Sequence, residues 1–576
     1  MVRSLRSLLV GTRRFHAIFI YALFLAVPGT AQTESRQGMP YDWTHHHVIF
    51  SNSDSSQVMA DAEADPRFWM QRARMAPVIW PDDTPRWRHH HHRRVDWSVT
   101  LGGAGSFLAA GQYPAKYSFD VNAPPDCTND FVVYALNVAG SASQATIVAY
   151  NNLYTNSSGT GYCAGFGPKV KWAYNTGRAI NTSPVLSVDG TKIAWVVTAN
   201  PPVLHVLTIG TAGSNGTSAT IPAFPGTGNN AVDTTISFGS VGDTRSSMFV
   251  DYRDDVGYVG DDNGVLHKFS GMFHGTPAEV STGGWPRTGV DGTGHKLNSP
   301  VFDSNSRNLF YADDWGDFNY IREVGSTTGT CSVGTPPCIG NSEYEVTGLA
   351  HPIIDSLIVD SITQRVFAFV GNNTQGHSMV VQTDTKLSSF GPNAWTGEGG
   401  MDMFDGFFDH NYFGSPQTGF LYVCGYPASA PNTSPVLYRI GFNSTGVMNA
   451  ATDGHSLAIA TAAGDTRCSP ITEFYNTTTG KDWLFVSVPT NCNATGGGVG
   501  GCVMSFDITS GFPSAATQGR PEFSGTSAII VDNVSPQPEA SSIYFTTEGN
   551  APSYAPCGDN STGGGCAVKL TQAGLN

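Results

Sequence analysis

A pattern of short apolar strands recurs along most of this chain, and it limits the possible folds more than any other feature. One copy reads Ser183-Pro184-Val185-Leu186-Ser187-Val188-Asp189-Gly190, then Lys192-Ile193-Ala194-Trp195-Val196-Val197, then Val203-Leu204-His205-Val206-Leu207. A second runs Ser247-Met248-Phe249-Val250-Asp251, then Val256-Gly257-Tyr258-Val259-Gly260-Asp261-Asp262-Asn263-Gly264, then Val265-Leu266-His267-Lys268-Phe269. A third starts at Ser299-Pro300-Val301-Phe302-Asp303 and continues through Asn308–Asp314 to Phe318–Ile321. Fainter copies begin near Tyr117, Ile354, Phe408, Ser469 and Ser527. Units of several strands repeating every ~52 to 66 residues are the signature of propeller blades. A lone four-stranded sheet cannot bury both of its faces, whereas blades stacked in a ring cover one another and leave only short edges. The expected fold is all-β: one β-propeller, with eight blades of four antiparallel strands. Seven is the alternative, because the copy near Phe408 is weak.

A ring must also close. The last unit ends after its third strand, Ala567-Val568-Lys569-Leu570, and Val95-Asp96-Trp97-Ser98-Val99-Thr100-Leu101-Gly102 resembles a fourth strand without a blade. The propeller is therefore expected to span 95–576, with 95–101 completing the last blade. Residues 32–94 differ in texture. Asp65-Pro66 reads as a helix N-cap followed by Pro at the first helical position, leading into Arg67–Arg72.

Residues 1–31 read as a signal peptide. Arg3, Arg6, Arg13 and Arg14 precede an apolar run, Phe15 to Val27, and Gly29-Thr30-Ala31 offers a small-residue cleavage site after Ala31. The run falls short of the ~20 residues that cross a bilayer, and no later segment is long enough, so no transmembrane span is expected after cleavage. Of 31 basic residues the leader removes four, leaving 27 against 46 acidic ones, a formal charge of −19. That balance argues against nucleic acid and suits an extracellular or periplasmic protein. Ten cysteines fit export, where disulfides persist. The expected pairs are Cys331/Cys338, Cys492/Cys502 and Cys557/Cys566, each around a Gly- or Pro-containing loop, with Cys127/Cys163 and Cys424/Cys468 remaining. Neither C-x-x-C-H nor C-x-x-C occurs, so no covalent haem and no zinc ribbon are expected.

Val170-Lys171-Trp172-Ala173-Tyr174-Asn175-Thr176-Gly177, then Ser183-Pro184-Val185, then Tyr258-Val259-Gly260-Asp261-Asp262-Asn263-Gly264-Val265-Leu266 resemble blades of the quinoprotein-like (PQQ-repeat) β-propeller superfamily. The textures are also similar to uncharacterised exported bacterial propellers. Quinoprotein dehydrogenases of this fold carry a vicinal disulfide, a Ca²⁺ ion and an Asp base. This chain has no adjacent cysteines, and none of those residues can be matched in it, so no catalytic residue carries over and PQQ is not expected.

Candidate binding chemistry lies in the turns. Asp261, Asp262 and Asn263 form one second-to-third-strand hairpin, and Asp313, Asp314 and Asp317 another. Asp402, Asp405 and Asp409 cluster in a stretch read as a connection between blades. In a propeller these hairpins and connections open on one face, where several carboxylates would suit Ca²⁺ or a cationic ligand. The plain alternative is that tight turns favour Asp, Asn and Gly for their own reasons. His45, His46 and His47 are candidate metal ligands in a segment expected to pack on the propeller, while His89–His92 reads as a linker between arginines. Trp172, Trp195, Trp315 and Trp483 could stack on sugars, although such residues are more often blade core. No G-x-S-x-G elbow or nucleotide loop is present. The leading expectation is an exported, non-enzymatic binding or scaffold propeller for an extracellular protein, glycan or small molecule. The alternatives are a quinoprotein-like oxidoreductase, a carbohydrate-active hydrolase or lyase, or an envelope protein attached through 32–94.

Overall fold

The computed structural model describes most of residues 38–571. Residues 1–37, 53–57, 60–61, 76–94, 346–352, 429–433, 462–466, 495–499, 534–539, 550–556, 558–562, 572–576 and a few shorter stretches lie outside the description. The expected signal peptide and His89–His92 therefore fall outside it.

Eight antiparallel blades form a ring, numbered here from the first complete one. Their innermost strands are Ala115–Ser118, Val185–Leu186, Phe249–Asp251, Val301–Asp303, Ile358–Asp360, Phe407–Phe408, Thr472–Asn476 and Ile530–Asp532. Blade 6 is real, and its inner strand is only two residues long, which is why its copy is faint in the sequence. Blade 8 takes three strands from the C-terminal end of the chain. Its outermost strand is Val95–Thr100, which pairs antiparallel with Cys566–Leu570. Two buried charges clamp that closure: Lys569 Nζ lies 2.9 Å from Asp96 Oδ2. A second buried pair, Lys116 Nζ to Asp532 Oδ2 at 2.8 Å, joins the inner strands of blades 1 and 8.

The serine that opens each clear repeat has a structural use. Ser183 Oγ accepts the Tyr113 amide at 2.9 Å, Ser247 Oγ accepts the Ser183 amide at 2.8 Å, and Ser299 Oγ accepts the Ser247 amide at 2.7 Å. These bonds run from blade to blade around the top of the inner strands and satisfy amides that the sheets leave over. All ten cysteines are paired, as Cys127–Cys163, Cys331–Cys338, Cys424–Cys468, Cys492–Cys502 and Cys557–Cys566. Among the described residues no helix is long and apolar enough to cross a membrane.

The N-terminal arm does not lie on the outside. Met39–Tyr41 pairs antiparallel with the inner strand of blade 1, and Val48–Ile49 pairs parallel with the inner strand of blade 5. A helical turn, Thr44–His47, joins them. Two opposite inner strands thus gain an extra strand from one hairpin, which occupies the axis of the ring. The helix Pro66–Met75 follows, and Asp65 Oδ1 caps it by accepting the Arg67 amide at 3.0 Å. It spans the mouth where first-to-second-strand turns lie. Arg67 reaches the Val250 carbonyl of blade 3, Arg74 lies 3.8 Å from Glu473 of blade 7, and the Asn533 amide of blade 8 donates to the Arg74 carbonyl at 3.0 Å.

Candidate functional site

Among the described residues, most of the candidates raised by the sequence fall at two places: the axis, which the arm fills, and one acidic face of the ring.

At the axis, the hairpin brings large apolar side chains into the channel. Tyr41, Trp43, Val48, Ile49, Phe50 and Phe68 are all buried. Trp43 Nε1 donates to the Met248 carbonyl at 3.0 Å, and Ser51 Oγ donates to Asp360 Oδ2 at 2.8 Å. Arg67 is almost completely enclosed: Nε donates to Thr44 Oγ1 at 3.0 Å, and the guanidinium lies 4.3 Å above the Phe249 ring and 4.6 Å above the Tyr252 ring.

The three consecutive histidines part company. His45 Nδ1 meets the backbone of Asp42 at 3.0 Å, and its Nε2 faces Met70 Sδ. His46 stacks on Tyr113 with ring centroids 4.7 Å apart. His47 turns toward Asp405, Nε2 to Oδ2 3.8 Å. Burial drives both His46 and His47 below the ordinary imidazole value, and the Arg74 charge adds to the effect on His46. Burial, then the Asp355 carboxylate, drives Asp405 well above the ordinary value.

On the ring itself, Asp261, Asp262, Asn263, Asp313, Asp314, Asp317, Asp402 and Asp405 lie on the face carrying the second-to-third-strand hairpins and the connections between blades. Asp409 does not share it. The inner strand Phe407–Phe408 separates Asp405 from Asp409, and Asp409 caps the short helix His410–Gly414 at the other end, accepting the Tyr412 and Phe420 amides at 3.1 and 2.9 Å.

Most of these residues have local duties. Asp261 Oδ1 accepts the amides of Asn263 and Val265, its Oδ2 faces His267 Nε2 at 3.2 Å, and His267 Nδ1 faces Glu279 at 2.7 Å. Burial works against charge on His267, but the two carboxylates outweigh it and hold the imidazole above its ordinary value. Asp262 pairs with Lys296 at 3.1 Å, Asp314 accepts the Lys296 amide at 2.9 Å, and the Asn263 carbonyl accepts the Gly294 amide at 3.2 Å. Asp402 is exposed, its carbonyl accepting the Tyr426 hydroxyl. Asp313 repeats the turn of Asp261, with Oδ1 accepting the amides of Trp315 and Asp317. Gly264 and Gly316 end the two hairpins with φ of 81° and 91°, a conformation that needs glycine.

Of the nine acidic-face candidates, only Asp313 and Asp317 converge, and they do so with two residues the sequence did not single out. Asp291, in the connection from blade 3, and Asp313 and Asp317 bring carboxylate oxygens within 4.8 Å of one another. Glu343 joins them from the outer edge of blade 4. Burial pushes Glu343 up to about 7, helped by Asp291 and Asp317. Burial likewise takes Asp313 to about 7, against the pull of two backbone amides and with the charges of Asp317 and Asp291 adding to it. Four carboxylates so close cannot all be ionised without a cation or shared protons. The only sequence signal for Asp291 and Glu343 was acidity within connecting segments. On the same hairpin, the Trp315 indole is 52% exposed and packs edge-on against His295 at 4.2 Å. Trp172, Trp195 and Trp483, by contrast, are blade core.

No family model matches the chain, and no curated protein matches it in sequence. The solved structures it is similar to include the crystal structure of BamB from Moraxella catarrhalis, at 11% identity over 82% of this chain and 96% of that one, TM-score 0.40. The dihydro-heme d1 dehydrogenase NirN in complex with DHE is similar at 12% identity over 83% and 81%, TM-score 0.39. Sqt1 of Saccharomyces cerevisiae is similar at 10% identity over 84% and 100%, TM-score 0.46. Likeness at this level is one of architecture alone.

Proposed function

We propose that this protein is an exported binding or scaffold propeller that works through the face bearing Asp291, Asp313, Asp317, Glu343 and Trp315, and that this face takes Ca²⁺ or a cationic group of a partner. The observation that carries the reading is the filled axis. A propeller enzyme gathers its reacting groups where the blades meet, and here two strands and a helical turn of the chain's own arm are paired to the inner strands at that place. What remains accessible is the rim of loops, where hard-cation ligands and an exposed aromatic lie on one hairpin.

The test is calorimetric titration of Ca²⁺ at pH 7 in buffers of different ionisation enthalpy. Because Asp313 and Glu343 sit at about 7, binding should release protons, and the heat should depend on the buffer. Asp317→Asn should abolish the event. No heat and no thermal shift would remove the cation from the proposal. A stable complex with PQQ and Ca²⁺ that reduces a dye in the presence of an alcohol would overturn the non-enzymatic reading.

A further inference from the structure

The tip of the axial hairpin leaves a group of fully buried polar atoms without partners. Both ring nitrogens of His47, both carboxylate oxygens of Asp405, Nδ1 of His46 and the Tyr113 hydroxyl make no hydrogen bond of good geometry among the described residues, although the Tyr113 hydroxyl and the Asp355 carboxyl lie beside Asp405 and the Leu357 backbone lies beside His47. All four residues are at most 3% exposed. Native interiors satisfy such atoms, and a cluster that the chain does not satisfy points to a bound water or ion. Asp355 adds a second carboxylate at the same place, its Oδ2 accepting the Asp405 amide at 3.2 Å.

Distance helps to choose between the two occupants. His47 Nε2 and Asp405 Oδ2 are 3.8 Å apart, too far for a hydrogen bond. An ion ~2.1 Å from each would subtend about 130° between them, within the range of an irregular four-coordinate site. A water ~2.8 Å from each would subtend about 85°, well below its tetrahedral directions. Charge favours the ion too, since the buried Asp405 carboxylate and the half-buried Asp355 carboxylate beside it balance one divalent cation. The Leu357 backbone carbonyl lies close to the His47 ring, as an outer partner of a ligating imidazole does.

We infer that the axial hub is a metal site, in which one divalent transition-metal ion of the Zn²⁺ class is held by His47 Nε2 of the arm and the Asp405 carboxylate of the blade 5–6 connection. Asp355 supplies the balancing charge, and water completes the coordination. The ion pins the arm inside the ring. This site is separate from the Asp291–Asp313–Asp317–Glu343 cluster, and it does not include His45, whose nitrogens are engaged elsewhere.

The experiment uses untagged protein with His89–His92 replaced by serine, so that this run contributes no metal. It is purified without chelator and analysed by elemental mass spectrometry. About one equivalent of metal per chain is expected, with at least a fivefold loss in Asp405→Asn and in His47→Gln. If those variants fail to fold, wild-type protein stripped with a chelator and refilled with Co²⁺ should show ligand-field absorption in the visible, and stripping should lower Tm. Less than about a tenth of an equivalent, with no uptake from added Zn²⁺ or Co²⁺, would mean that water alone fills the hub and would overturn the proposal. Stoichiometric metal that survives both hub substitutions but is lost in Asp317→Asn would overturn it as well, placing the ion on the acidic face.

Discussion

Buried charge in this ring mostly binds together segments that are far apart in sequence. Lys569–Asp96 holds the closing strand, Lys116–Asp532 joins blades 1 and 8, and Arg67 ties the arm to blade 3. Removing one member of such a pair leaves an uncompensated charge in the interior, which is why these residues are costly to lose singly. Asp409 is a buried carboxylate without that compensation. Burial raises it to about 6, although two backbone amides and Asn411 pull the other way. A carboxyl raised in the folded state contributes stability that is complete below pH ~4 and is lost as pH rises through about 6. Asparagine can accept the same two amides without carrying the charge. Asp409→Asn should therefore match the wild type near pH 4 and exceed it by about 2–3 kcal/mol at pH 7.5, measured by guanidinium unfolding. An equal difference at both pH values would show that Asp409 does not titrate in this range. The same residue marks a limit of sequence reading. Asp402, Asp405 and Asp409 look like one acidic loop because the strand between the last two is a mere Phe407-Phe408, too short to break the pattern.

At the scale of elements, the blades were legible because each strand announces itself locally, by alternation and by the turn residues at its ends. Serine before the inner strand was visible as a repeat, but its purpose was not, since the Ser183–Ser247–Ser299 chain joins neighbouring blades rather than neighbours in sequence. Ser247→Ala leaves the Ser183 amide buried without its acceptor, and the expected cost is about 1–3 kcal/mol. Ser247→Thr keeps the hydroxyl and should recover most of the loss. Equilibrium unfolding of both variants checks this, and an alanine variant as stable as the wild type would make the inter-blade belt incidental. The acidic site was half legible for a similar reason. Asp313 and Asp317 share a hairpin whose sequence reads as a turn, whereas Asp291 and Glu343 reach it from the blade 3–4 connection and the outer edge of the sheet, and nothing in their local sequence says so.

For the whole molecule, the decisive feature is a contact order that the sequence hides. The arm's partners are Ser118, Met248, Asp360, Glu473 and Asn533, spread over most of the ring. A segment with such partners resembles an ordinary leader-to-domain linker when read alone, and only ring closure brings its contacts together. Burial also sets how tightly it should stay. Met39, Tyr41, Trp43, Val48, Ile49, Phe50, Phe68 and Met70 are all enclosed, and each such side chain stabilises by roughly 1.5–3 kcal/mol. If a protease site is placed within residues 76–94 and cut, the arm should co-elute with the ring on size exclusion at micromolar concentration and separate only in denaturant. Replacing Trp43 and Phe50 with alanine should release it after cutting, because Trp43 packs on Phe249 and donates to the Met248 carbonyl, and Phe50 is fully buried in the core that the arm shares with the blades. An arm that leaves the uncut-sequence ring as soon as the chain is cleaved would mean that covalent linkage, not packing, keeps it in the axis, and the axis would then be open to a ligand from outside.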